Sequence, residues 1–165
     1  MSRILHLLRH AQSAERQQGQ HDKDRELNTE GMKESNVIGH YLKKNYPDIE
    51  IIVSSAALRA QQTSAVIHGI LNLDNPIYVE ENLYEASIRN LLEFTNQIDD
   101  AYKKVLLVGH NPYISYFAEF LCKAEIGSMN TAGLATLKIG TVNYWSEVNE
   151  GCASLENYTY PARIE

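Results

Sequence analysis

Cysteine is scarce in this chain: Cys122 and Cys152 are the only two, and neither belongs to a CxxC or other metal-like spacing. Two isolated cysteines make no disulfide framework, so the sequence points to a reducing, cytoplasmic setting. Long hydrophobic runs are missing as well. The longest, ILHLL (4–8), IEIIV (49–53) and VLLVG (105–109), are far shorter than the roughly 20 apolar residues a membrane helix needs. The N-terminus lacks a charged segment followed by an apolar stretch and a cleavage site, so no secretory leader is expected. No Lys/Arg-rich run occurs, and the formal charge is −6. Such a surface repels a phosphate backbone, which argues against nucleic acid as a partner. Internal repeats, low-complexity tracts and linkers are also absent from the sequence.

What remains is an ordinary globular composition, 44% hydrophobic and 22% charged over 165 residues, the size of one domain spanning 1–165. Ile4 to Leu8, Ile49 to Val53 and Val105 to Val108 are short, nearly continuous apolar runs, as expected of parallel strands covered on both faces. Pro76 opens a further short strand, IYVEE. LATLKIG (134–140) and NYWSEV (143–148) read as two late strands, with a hairpin between them at 140–142. Helical spacing occupies 28–46, with Thr29 as N-cap and Pro47 as terminator, then 56–71, 87–99 and 113–122. Gln12 to Arg25 is too hydrophilic for a core and reads as a loop. Strands alternating with helices predict an α/β three-layer sandwich. Its sheet would be mainly parallel, with helices on both faces and an antiparallel strand or hairpin near the C-terminus.

In such a sheet, ligands bind outside the carboxyl ends of the strands. Three strands end on unusual residues. The first is followed by Arg9 and His10, the second by Ser54 and Ser55 with Arg59 four residues on, and the third by Gly109-His110-Asn111-Pro112. If these strands are neighbours, two arginines and two histidines converge on one pocket. Guanidinium forks match phosphate oxygens bidentately, and a neutral imidazole can attack phosphorus and carry the phosphoryl group. His6, His21, His40 and His68 read as structural or solvated residues. A metal held by His6 and His10 has no Asp, Cys or third His at a supporting spacing, so neither metal nor cofactor is expected.

These segments resemble the signature of the histidine phosphatase (phosphoglycerate mutase-like) superfamily. LLRHAQS (7–13) matches its Arg-His-Gly/Ala element, and SSAALRAQQT (54–63) its Ser-x-x-x-Arg-Ala-x-x-Thr element through Ser55, Arg59, Ala60 and Thr63. VLLVGHNP (105–112) matches its apolar strand ending in Gly-His. RELNTEG (25–31) is similar to its Arg-x-Leu-Thr-x-x-Gly segment, with Asn28 where Thr is usual. The resemblance implies that His10 is the nucleophile, and that Arg9, Arg59 and His110 bind the phosphoryl oxygens. It also implies a proton donor in ENLYEAS (81–87), either Glu85 or, behind it, Glu81. Glu85 reads equally as a plain surface carboxylate near a helix N-terminus.

The short chain leaves little room for the site-covering segments of the larger members and is most similar to the SixA-type phosphohistidine phosphatases. A phosphatase acting on protein-borne phosphohistidine through phosphorylated His10 is therefore expected. Its partner would be a phosphorylated protein, such as a histidine phosphotransfer domain, or a small phosphate ester. A phosphomonoesterase or mutase of phosphorylated metabolites is the alternative, and a non-catalytic phosphate-binding adaptor is the alternative outside enzymes. Neither nucleic acid nor membrane is an expected partner.

Overall fold

The apolar runs of the sequence become the central strands of a sheet. In the computed structural model, which describes residues 2–164, β1 (Arg3–Arg9), β2 (Ile51–Ser55), β3 (Tyr78–Glu80) and β4 (Lys104–Gly109) run parallel. The strands β5 (Leu134–Ile139) and β6 (Ala153–Thr159) extend the sheet antiparallel on the β1 side. Among the described residues, six strands form this sheet, in the order β3-β2-β4-β1-β5-β6.

Side-chain alternation divides each central strand between two cores. Leu5, Leu7, Ile51, Val53, Val105 and Leu107 face one core, completed by Leu91 of α3 (Ile88–Asn96) and by Ile114, Phe117 and Leu121 of α4 (Tyr113–Cys122). Leu8, Ile52, Leu106 and Val108 face the other, completed by Ile38 and Leu42 of α1 (Thr29–Asn45) and Ala60 and Ile67 of α2 (Leu58–Leu71). Helices therefore cover both faces, as the strand–helix alternation predicts. A buried Leu or Ile contributes roughly 1.5–3 kcal/mol and a surface ion pair about 0–1, so these two cores hold the layers together. A last turn of helix, α5 (Pro161–Ile164), packs on α1. Among the described residues no helix is long and apolar enough to cross a membrane.

Two local expectations are corrected. Thr29 is the first residue of α1, and the cap is Asn28, whose Oδ1 accepts the Gly31 N–H at 2.8 Å. The segment 143–148 is no strand. Trp145–Glu147 is a 3-10 turn, closed when Oε2 of Glu147 accepts the N–H groups of Asn143 and Tyr144. The turn buries Trp145 completely and lets its indole N–H reach the Tyr102 carbonyl at 2.7 Å. The partner of β5 is instead β6, an edge strand too polar to stand out in the sequence.

The register decides which strand ends meet. Arg9 is level with Gly109 across β1 and β4, and Ser54 is level with Val108 across β4 and β2. The residues that follow the three strands therefore emerge side by side at one edge of the sheet.

Candidate active site

His10 leaves the end of β1 nearly buried, only 8% exposed. Its Nδ1 lies 2.7 Å from the Ala11 carbonyl oxygen, which can only accept, so the ring proton sits on Nδ1. That leaves a lone pair on Nε2, and the Nε–H of Arg59 points at it from 3.3 Å. Burial holds His10 neutral, lowering its pKa from 6.5 to about 4; the guanidiniums of Arg59 and Arg9 push the same way, against the Ala11 carbonyl. His10 thus presents an unprotonated nitrogen beside a permanent cation.

His110 stands next to it, with ring centroids 5.0 Å apart. Burial, then the neighbouring His10 and Arg59, lower the His110 pKa to about 3. Its Nε2 lies 2.7 Å from the Ser55 hydroxyl, while its buried Nδ1 has no hydrogen-bond partner among the described residues. Arg9 anchors one end of its guanidinium on the Met129 carbonyl at 2.9 Å, and its buried Nε is likewise without a partner among the described residues. Arg9, His10, Arg59 and His110 are thus brought into one cluster by three strands that are far apart in sequence.

The surrounding motif residues hold this cluster in place. Thr63 Oγ1 accepts the Ala11 N–H at 3.1 Å and donates to the Arg59 carbonyl at 2.8 Å, tying α2 to the segment that carries His10. Ser55 Oγ accepts the Ala57 N–H as well as meeting His110. Gly31 lies so close to the Gln12 carbonyl that a Cβ there would sit 2.0 Å from its oxygen. From the other side, Ala132 donates its N–H to the His10 carbonyl and the Arg9 N–H reaches the Gly133 carbonyl. Ala132 has φ of 53°, a left-handed conformation unusual for a residue with a side chain.

A cavity of about 280 Å³ opens over Arg59 and His110, lined on its remaining sides by Tyr84, Glu85, Leu91 and Tyr113. Glu85 is exposed on this wall and makes no hydrogen bond there to the four-residue cluster. Glu81 points elsewhere, paired with Lys23. His6 is a core residue: its Nδ1 lies 3.0 Å from the Thr136 hydroxyl and its ring packs edge-on against Tyr46. Sequence reasoning missed Asp22, in a 3-10 turn at Asp22–Asp24 inside the polar loop. Its carbonyl and carboxylate accept from Arg59 Nη1 and Nη2 at 2.8 and 3.0 Å, and its carboxylate also accepts from the Tyr84 hydroxyl at 2.6 Å. No motif marks Asp22, because Arg59 and Tyr84, the partners that bring it to the cluster, lie on other elements.

Residues 5–100 match the model of the histidine phosphatase superfamily (branch 1). The chain belongs to this superfamily. As a member of the histidine phosphatase superfamily it is a phosphatase, a hydrolase of phosphoryl groups. It is similar to the uncharacterized protein Rv1276c of Mycobacterium tuberculosis, at 34% identity across 93% of this chain and 99% of that one. It is also similar to phosphohistidine phosphatase SixA of Escherichia coli, at 29% identity across 74% of this chain and 81% of that one. The same histidine phosphatase fold recurs in the protein histidine phosphatase SixA solved with tungstate, with a TM-score of 0.80, 24% identity and coverage of 98% and 99% of the two chains.

Proposed function

We propose that this phosphatase removes the phosphoryl group from a phosphohistidine on a protein, passing it through Nε2 of His10. The observation that carries the reading is the His10 tautomer, fixed by the Ala11 carbonyl so that Nε2 is unprotonated and carries the lone pair. In the first step Nε2 attacks phosphorus of a phosphohistidine whose ring carries a proton on its other nitrogen; the phosphorus–nitrogen bond breaks, its electron pair stays on the leaving nitrogen, and the substrate histidine departs as a neutral imidazole. In the second, water attacks phospho-His10, releasing orthophosphate and returning the lone pair to Nε2. Phosphorylation makes the His10 ring cationic, and the Ala11 carbonyl facing Nδ1–H stabilises that charge.

Arg9, Arg59 and His110 are the groups suited to hold the phosphoryl oxygens. The unpartnered Nε of Arg9 and Nδ1 of His110 are the polar atoms an arriving anion would satisfy. Ser55 Oγ, already accepting from Ala57, can donate its hydroxyl proton to Nε2 of His110, leaving Nδ1–H for the phosphoryl group. A protonated imidazole leaves readily, so the phosphohistidine reading needs no strong acid. The similarity to phosphohistidine phosphatase SixA supports the same substrate class and a phosphorylated protein as partner. The test is rapid quench with a phosphohistidine-bearing phosphotransfer protein: wild type should gain a phosphoryl group on His10, and His10→Ala should show neither adduct nor turnover. Turnover by His10→Ala would overturn the mechanism.

The position of Glu85 on the cavity wall favours a second reading, hydrolysis of small phosphate esters with Glu85 protonating the leaving oxygen. Glu85→Gln separates the two. It should slow aryl and sugar phosphates on the order of 10²-fold and leave phosphohistidine turnover nearly unchanged if the first reading holds.

A further inference from the structure

Arg59 can serve phosphoryl transfer only if its guanidinium meets the phosphoryl group edge-on. A free arginine side chain carries about 2 kcal/mol of rotamer entropy, and donors that must be ordered during the reaction stabilise its transition state less than preorganised ones. The contacts of Arg59 show how it is ordered. Nη1 donates to the Asp22 carbonyl at 2.8 Å and Nη2 to Oδ2 of Asp22 at 3.0 Å, so a single residue holds the terminal fork. The opposite side of the plane, where Nε–H runs parallel to the second hydrogen of Nη2, is left toward His10.

Asp22 is itself fixed on both oxygens. Oδ1 accepts from Arg25 Nη1 at 3.0 Å and Oδ2 from the Tyr84 hydroxyl at 2.6 Å. Arg25 in turn donates to Ser13 Oγ at 2.8 Å and to the Ala14 carbonyl at 3.0 Å, close behind His10 in the chain. We infer that Asp22 is a positioning residue: it holds Arg59 so that the Nε–Nη2 edge faces Nε2 of His10, where phosphorus is transferred. The inference rests on the proposed role of His10 as nucleophile. Asp22 is not a proton donor, because the Tyr84 hydroxyl, with Arg25 and Arg59, holds its carboxyl ionised far below the usual range.

The charge of Asp22 and its geometry act in opposite directions, and this separates a positioning role from a merely structural one. A carboxylate so close to the phosphoryl site weakens anion binding by charge alone, while alignment of Arg59 favours transfer. Asp22→Asn, nearly isosteric, removes the charge and one strong acceptor. It should lower kcat on the order of 10- to 100-fold while inorganic phosphate, measured by calorimetry, binds as tightly as to wild type or up to severalfold tighter. Tyr84→Phe, which removes only the hydroxyl that steadies Oδ2, should lower kcat severalfold with phosphate binding unchanged. The substrate is whichever of the phosphotransfer protein, a sugar phosphate and p-nitrophenyl phosphate the wild type turns over fastest.

An Asp22→Asn variant with kcat within twofold of wild type overturns the inference. So does one that turns over faster, which would make Asp22 a plug on Arg59. A kcat loss matched by equal losses of phosphate affinity and thermal stability also overturns it, as a structural effect. His10→Ala, assayed alongside, separates the two levels. If it keeps activity, the nucleophile assignment falls with the inference; if it is dead while Asp22→Asn is normal, the inference alone falls.

Discussion

The Nε–H of Arg59 points at the Nε2 lone pair of His10 across 3.3 Å. Protonating His10 would set a second cation against the guanidinium, a repulsion that adds to the burial of the ring in keeping His10 neutral. Arg59 and His10 therefore keep a fixed positive charge and a neutral nitrogen next to each other, a pairing suited to an incoming phosphoryl group.

The tautomer and charge of His10 are directly observable. Burial holds the rings of His10 and His110 neutral down to about 4 and about 3. Imidazole carbon–proton NMR spectra should show both rings still neutral at pH 5.5, with the His10 proton on Nδ1. A His10 resonance that titrates near 6.5 would contradict the buried geometry.

Arg59→Lys tests the fork against the charge. Lysine keeps the cation but can neither span both acceptors of Asp22 nor present a planar edge to His10. Turnover should fall on the order of 10²-fold, far more than a change in charge density would give. A near-normal kcat would mean that a point charge suffices.

Gly31→Ala tests the packing of α1 against the segment that follows His10. Its Cβ would meet the Gln12 carbonyl oxygen at 2.0 Å, and backbone on both sides resists the shift. The substitution should cost roughly 1–3 kcal/mol of stability and reduce activity through displaced His10, read by urea unfolding and steady-state rates. An unaffected unfolding midpoint would refute the contact.

Stability should also follow the buried histidines. His6, fully buried, has its pKa lowered by that burial from 6.5 to about 4. Its folded state resists a proton that the unfolded chain accepts, so the stabilisation is complete above pH 6.5 and is lost as pH falls toward 4. His10 and His110 act with the same sign. His6 alone contributes on the order of 3 kcal/mol over that window. Urea midpoints at pH 7.5 and 4.5 check it, and equal midpoints would contradict it.

Sequence alone determined the central strands, because a parallel strand covered on both faces is written as an unbroken apolar run, as in Ile51–Val53 and Val105–Val108. It singled out Arg9, His10 and His110 as a cation and imidazoles at the ends of such runs, and Arg59 by its spacing four residues beyond Ser55. It also marked α4 from Tyr113 to Cys122. It misread 143–148 as a strand, since aromatic residues fit a strand and a buried 3-10 turn equally well, and whether Trp145 reaches the Tyr102 carbonyl is a tertiary fact. It passed over β6, whose polar outer face reflects an edge position that no local pattern encodes.

Only the tertiary structure decided which residues surround the cluster and how it is charged. The order β2-β4-β1 made neighbours of three strand ends, and burial of His10 beside the Ala11 carbonyl chose its tautomer. Asp22 meets Arg59 across 37 residues and Tyr84 across 62, from a loop whose composition signals only solvent. Hydrophobic pattern is local and survives in the string of residues. Hydrogen-bond partnership and desolvation depend on what the fold places opposite each group, and they exist only once the chain has closed on itself.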